Sequence, residues 1–492
     1  MADKEQQIRN SFIYLVPVIV GNLIPLLTLP IFTRVLTKED YGVLALAQVY
    51  AVFMTGLINF GLTVGYERNF FEYRDEKRTS GLLYSTLAFV ITTYAVCILL
   101  TYLFKSKLSG WIIGSPDYDY LLFWTLCSTG LISLKVYYLT YFKNTENAKS
   151  LVWYTVDESV LGVLLSLFLV VYLRVGIIGL VFGQLLASLA IFSALAFRFV
   201  KVLPPSFNWP VLRDSLKLSY PLTPRIFLGV IGSQFDKYMI GLLGSIGGVG
   251  IYSIGQSVSF AVFTYMTAIQ NVFSPQVYKR MFEMGERGGE SVGQYLTPFA
   301  YVSIFFGLLI SIFSEEIIFI LTPKAYHGAT DIVIILSMLY GSYFFGKQPQ
   351  LIFAKKTYMS SILTMISIAL NVAINIPFIM KWGAVGAAWG ALTAGLLSGA
   401  ISFVISQKYY EIKWEYKKIG AIFLVFFGAS IGMVLLRNAM IAYEFRLIFK
   451  GLALASYLYL GMMLNVVNKQ NYLLVKKMIS PVKLVSDIPK RS

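Results

Sequence analysis

The sequence predicts an all-α polytopic membrane protein, and three observations carry that reading. Of its 492 residues 57% are hydrophobic and only 13% charged, whereas a soluble globular protein holds about 25% charged residues. Apolar runs of about 20 residues, long enough to cross a bilayer, recur from one end to the other. Lys and Arg are also sorted by side. Fourteen spans are expected near 11–33, 42–66, 80–104, 120–142, 151–172, 176–199, 218–243, 249–273, 295–314, 327–346, 359–380, 384–407, 418–436 and 443–467. With a cytoplasmic N-terminus, 28 of the 41 Lys and Arg residues fall in inner segments and 9 in outer loops, leaving Lys135, Arg225, Lys237 and Lys450 inside spans. Cytoplasmic loops concentrate Lys and Arg, so both termini are expected in the cytoplasm.

The same pattern bears on other classes. A net charge of +16 could suggest nucleic acid, but the basic residues are scattered over short loops where the membrane accounts for them, and no nucleic-acid partner is expected. Residues 1–10 are polar and the first apolar run has full span length, so it reads as a retained helix and not a cleaved signal. Cys97 and Cys127 fall inside spans, with neither a disulfide framework nor metal-ligand spacing, and His327 stands alone. No metal or cofactor is expected. No connection is long enough to fold by itself, and no nucleophile–base constellation or carboxylate pair appears, so the chain is expected not to be an enzyme.

A self-similarity of about 207 residues organises the chain. Gly176, Gly179, Gly183 and Ala187 recur at offset 207 as Gly383, Gly386, Gly390 and Ala394. Tyr41-Gly42 and Gln48 correspond at offset 208 to Val249-Gly250 and Gln256. Small residues at such spacings let helix backbones approach closely. The offset covers six spans, an even number, so the copies share one orientation. Parallel repeats of this kind are related by an axis along the membrane normal, with the substrate site between the halves. The expected organisation is a six-helix bundle over 1–206, a second over 207–412, an added helix pair over 413–467 and a basic cytoplasmic tail over 468–492. That tail either lies at the lipid interface or is solvated.

Residues 219–256 open the second copy and carry Arg225, Asp236 and Lys237 where a span should be uncharged. On a helix Arg225, Gly229, Gly232 and Asp236 share one face, with the two charges roughly 16 Å apart along it. Ionisable groups at membrane depth usually face a bundle interior or a wet cavity. Arg225 and Lys237 either line such a cavity or snorkel to the interface, and Lys135, well inside the fourth span, is open to the same two readings. Asp236 is either a structural partner of a basic residue or a proton- or cation-coupling site. Arg34 ends a first span holding Pro17, Pro25 and Pro30, whose kinks leave carbonyls in need of partners; it is either a loop anchor or part of a site. Arg68 stands in a mixed-charge cluster that is either a solvated loop or a site. Asp157 and Glu158 fall in the first turns of the fifth span, where acids suit the helix N-terminus without any function.

Three stretches resemble the bacterial polysaccharide flippases, the Wzx-like oligosaccharide exporters of the superfamily that includes the MATE drug exporters and the lipid II flippase. They are PVIVGNLIPLLTLPIFTRVLTKEDYGVLAL at the first span and its exit, INFGLTVGYERNFFE at the end of the second, and YPLTPRIFLGVIGSQFDKYMIGLLGSIGGVGIYSIG at the seventh. The family often has Asp-Arg where this chain has Asp236-Lys237, which keeps the charge but not the bidentate fork. The resemblance implies two bundles in a V shape that alternate access. They would move an undecaprenyl-pyrophosphate-linked oligosaccharide from the inner to the outer leaflet of the bacterial cytoplasmic membrane, for O-antigen, capsule or exopolysaccharide assembly. The candidate substrate-binding residues within these stretches are Arg225, Arg34, Lys237 and Arg68; Lys135 joins them by its depth in the fourth span alone, and Asp236 keeps its ion-coupling or structural role. Coupling to H+ or Na+ through Asp236, or to the membrane potential acting on an anionic head group, is the expected energy source. The resemblance also implies membrane lipids, a polysaccharide polymerase and a chain-length regulator as partners, and a lipid-tail groove at the last two helices.

The alternative is a MATE-like, cation-coupled multidrug exporter. Cationic substrates favour acidic cavities, and here Arg34, Lys135, Arg225 and Lys237 outnumber Asp236 at depth, which favours an anionic substrate. A membrane polymerase or ligase typically needs a large outer loop and is not expected to show this repeat.

Overall fold

The computed structural model describes residues 15–73, 75–345 and 349–468, and all regular elements among them are helices. The basic tail lies outside the described residues. Two compact units divide the chain, 1–253 and 254–492. This boundary reflects packing, whereas the halving at 206/207 reflects self-similarity; the helix Thr223–Leu243 packs against Lys38–Ile58 and so joins the first unit.

The first unit contains α1 (Leu15–Val35), α2 (Lys38–Ile58), α3 (Leu62–Glu72), α4 (Glu76–Ile112), α5 (Asp119–Asn144), α6 (Ala148–Leu167), α7 (Ile178–Val202), α8 (Trp209–Ser219), α9 (Thr223–Leu243) and the first turns of α10 (Ile246–Met284). Local side chains set where these helices begin, by accepting hydrogen bonds from otherwise unpaired backbone N–H groups. Thr37 and Asp40 form a reciprocal capping box at α2. Asp75 caps α4, Asn147 caps α6, and Asn208 caps α8 just ahead of Pro210. The second expected span is broken where Phe60 and Gly61 take positive φ, which makes α3 a separate short helix. It lies against α8, where Asn69 donates to Ser215 at 2.9 Å. α5, α6 and α7 pack on one another, and α2 packs on α5 and α9.

The glycines of the repeat occupy matching local structures. A methyl group on Gly42 would overlap the carbonyl of Ile246, and one on Gly250 would overlap the carbonyl of Lys38. Residues 38 and 42 correspond at offset 208 to 246 and 250, so the contact is self-complementary, as at a two-fold axis. The other motif appears once in each unit. Gly176 and Gly383 both take positive φ, a conformation that favours glycine. Seven residues later, Gly183 lies on the backbone of Ser166 and Gly390 on Asn375, with no room for a side chain in either place.

The second unit continues α10 into α11 (Gly288–Ile312), α12 (Ser314–Leu321), α13 (Ala329–Ser342), α14 (Pro349–Phe353), α15 (Thr357–Gln407), α16 (Tyr416–Asn438) and α17 (Tyr443–Met463). α11 packs on α13 and α16, α13 on α15, and α16 on α17. Among the described residues twelve helices are long and apolar enough to cross a membrane, against the fourteen expected. The difference arises in two places. α15 runs 51 residues through the non-helical turn at Gly383, covering two expected spans, and the first expected span, 11–33, lies partly outside the described residues.

A charge-balanced cluster fastens the last two helices to this unit. Lys450 of α17 is fully buried and pairs with Glu315 and Glu316 of α12; Arg446 donates to Glu315 at 2.7 Å, and Arg437 of α16 pairs with Asp331 of α13 at 2.6 Å. Burial would raise the Glu316 carboxyl, but hydrogen bonds from Lys450 and Tyr443 outweigh it and hold the group below its ordinary value of 4.5. A depressed carboxylate stabilises the fold above its unfolded pKa, and that stability is lost as pH falls from about 4.5 through the lower folded value. Glu316→Gln will therefore lower Tm at neutral pH, and the gap to wild type will shrink as pH falls below that point in thermal scans of the detergent-solubilised protein.

Candidate functional site

Three charges, Arg225, Asp236 and Lys237, sit on α9, which enters through Thr223-Pro224 and runs along α2. The Phe53 and Phe227 rings meet at 4.6 Å, and Gly56 and Gly241 let Val230 and Leu46 close in on the opposing helix. Asp236 is half-buried and accepts a hydrogen bond from Tyr252 Oη at 2.8 Å. Tyr252 is itself fully buried on α10, so the bond ties α9 to the first turns of the next helix. Lys237 follows, half-buried, on a different face from Asp236 because successive helical residues diverge. The backbone of Arg225 lies in the first turn of α9; its side chain lies outside the described residues.

The remaining candidates stand apart on other helices of the first unit. Arg34 is exposed in the last turn of α1, beyond Pro25 and Pro30. Arg68 of α3 is exposed and held on its own helix by Glu72 and by Asn69 Oδ1, the latter at 2.8 Å. Lys135 is buried on α5 and forms an ion pair with Glu158 of α6. Ser188 of α7 donates to Glu158 Oε1 at 2.7 Å, and Gln184 donates to Ser188 at 3.3 Å. A charge at this depth is tolerable only when paired and hydrogen-bonded, and the three helices supply both conditions.

Glu158 corrects the placement made from sequence. α6 begins at Ala148 behind the Asn147 cap, which puts Glu158 in the third turn, deeper than the first turns expected from the sequence. Its acid is a buried partner and no terminal dipole group. The signal was available: a buried lysine in one span calls for an acid in a neighbour, and Glu158 is one of only two carboxylates in the next span. The cluster at Lys450 was missed for the same reason, although the lysine itself was placed within a span.

The family described as "Polysaccharide biosynthesis protein" matches residues 8–279. No curated protein matches the chain. Among solved structures, the chain is similar to "Lipid II flippase MurJ, inward closed conformation", with a TM-score of 0.68 at 17% identity over 93% of this chain and 98% of that one. It is also similar to an inward-facing multidrug resistance MATE family transporter of the MOP superfamily, with a TM-score of 0.60 at 13% identity over 81% and 97% of the two chains. A third is the MATE multidrug transporter DinF-BH, with a TM-score of 0.57 at 14% identity over 82% and 95%. These structures share the fold. Because the family match covers more than half of its 492 residues, the chain belongs to the polysaccharide biosynthesis protein family, as a multi-pass membrane protein with the fold of the MOP-superfamily transporters.

Proposed function

We propose that the protein flips an undecaprenyl-pyrophosphate-linked oligosaccharide from the inner to the outer leaflet of a bacterial cytoplasmic membrane, with both termini cytoplasmic. The family match over residues 8–279 carries this reading, and a fold shared with a lipid II flippase supports it. A pyrophosphate crossing the bilayer needs cations in a hydrated site, and cations at bilayer depth need an anion or water to relieve a cost of about 2.5–3.5 kcal/mol each. Arg225, Lys237 and Arg34 meet the head group. Arg68 and Lys135, held by Glu72 and Glu158, shape the field around it. Asp236, tied to Tyr252, holds the base of α9 in register or carries the coupling ion. Outward movement of an anion from a negative interior is favoured by roughly 2.3 kcal/mol per charge per 100 mV, so the membrane potential assists export.

Arg225→Ala and Asp236→Ala test the assignment in a cell lacking its own flippase. Surface polysaccharide will fall by about tenfold or more, the scale of one lost charge-assisted hydrogen bond, at unchanged protein abundance. Full complementation by both variants would remove these residues from the mechanism.

A further inference from the structure

The first unit holds an open, apolar cleft of about 790 Å³ between α2, α4 and α9. Phe53 and Met54 line it from α2, Leu100, Phe104 and Leu108 from α4, and Phe235 from α9. Its polarity is ordered along α4. The sequence from Gly81 to Phe104 contains no charge, which sets the edge of the hydrocarbon region near Lys105. The residues at 100–104 therefore belong to the acyl layer. Lys107 and Trp111, one helical turn apart in the lining of the cleft, belong to the head-group layer, where Trp and Lys both settle. From Leu100 to Ile112 the α4 wall is about 18 Å long, of which the part from Leu100 to Phe104, about 6 Å, lies in the acyl layer and the rest at head-group level.

The two lysines here differ in what holds them. Lys105 is committed to Asp119 at 3.0 Å and lies over the Tyr120 ring at 3.1 Å from its centroid. Lys107 is exposed, and no ion pair is formed by it among the described residues. One free ammonium matches the single negative charge of a phosphodiester; a pyrophosphate calls for more than one cation.

We propose that this cleft is a binding site for an anionic glycerophospholipid. One acyl chain lies between α4 and α9 down to Phe53 and Met54, and the phosphodiester sits on Lys107 in the leaflet nearest the α4–α5 connection. The lipid fills space that no side chain fills and so sets how α9, the carrier of Asp236 and Lys237, packs on α4. This site is separate from the one proposed for the transported head group and does not depend on it.

The full chain reconstituted in phosphatidylglycerol vesicles, doped with phosphatidylglycerol carrying an acyl diazirine, tests the proposal by peptide mass spectrometry. Adducts will concentrate on Met54, Leu100 and Phe104. They will fall by about fivefold in Lys107→Glu, since one lysine near a lipid surface contributes about 1 kcal/mol, while adducts on the exposed Leu99 and Leu103 stay unchanged as an internal measure of folding. Leu100→Trp will displace the chain without touching the lysine. Adducts no denser at Leu100 and Phe104 than at Leu99 and Leu103 would overturn the proposal. So would insensitivity to Lys107→Glu, or displacement of the probe by an equimolar polyprenyl pyrophosphate.

Discussion

Replacing Gly42 or Gly250 with Ala will lower Tm by an amount equivalent to about 1–3 kcal/mol or more, because the added methyl has nowhere to go. In most overpacked cores a neighbouring side chain rotates away. Here the atom in the way is a backbone carbonyl, of Ile246 in one case and Lys38 in the other, and it belongs to a helix already fixed by its own hydrogen bonds. The helices must separate, and the Asp236–Tyr252 bond nearby will lengthen with them. Gly229→Ala and Gly420→Ala are the controls, since nothing lies within 4 Å of a methyl at either position. Thermal scans of the four purified variants decide the matter. If Gly250→Ala melts with the controls, the close crossing of α2 and α10 is wrong.

Removing one member of the Lys135–Glu158 pair will have a comparable or larger effect. A single Lys135→Met or Glu158→Leu leaves the other charge buried without its counter-ion, which costs about 3–5 kcal/mol. The double variant Lys135→Met/Glu158→Leu removes both charges together and will recover most of the lost stability, giving a strongly non-additive double-mutant cycle. Transport adds a second readout. A pair that only braces α5 against α6 will regain surface-polysaccharide assembly in the double variant. A pair that also shapes the field for the substrate will regain Tm without regaining assembly. Additive losses of stability would show that the two side chains do not meet.

What the sequence disclosed, and what it did not, follows from how each feature is encoded. Close backbone approach leaves a mark in residue type, so the glycine repeat was visible at offsets of 207 and 208, and the pairs Gly42/Gly250, Gly176/Gly383 and Gly183/Gly390 do occupy matching turns and contacts. The all-helical membrane fold was visible because twenty uncharged residues can hardly do anything else. Partners across helices leave no such mark. Lys135 meets Glu158 only because α5 and α6 present those faces to each other, and a start placed three residues late moved Glu158 toward a helix end, where acids need no explanation. Glu315 and Lys450 are 135 positions apart, a distance over which no periodicity carries information. The break at Phe60 and Gly61 was hidden for a different reason: the apolar pattern continues across it, so one span was read where α2 and α3 lie.

The most direct test of the central claim is translocation in liposomes. The purified chain is reconstituted with a polyprenyl-pyrophosphate-linked oligosaccharide, and the fraction of sugar reached by an impermeant glycosidase on the far side is followed over time. Protein-dependent transfer will exceed that of protein-free liposomes and will slow in Arg225→Ala. No acceleration over protein-free liposomes, together with export of an organic cation by the same preparation, would contradict the account and leave a drug exporter of the same fold.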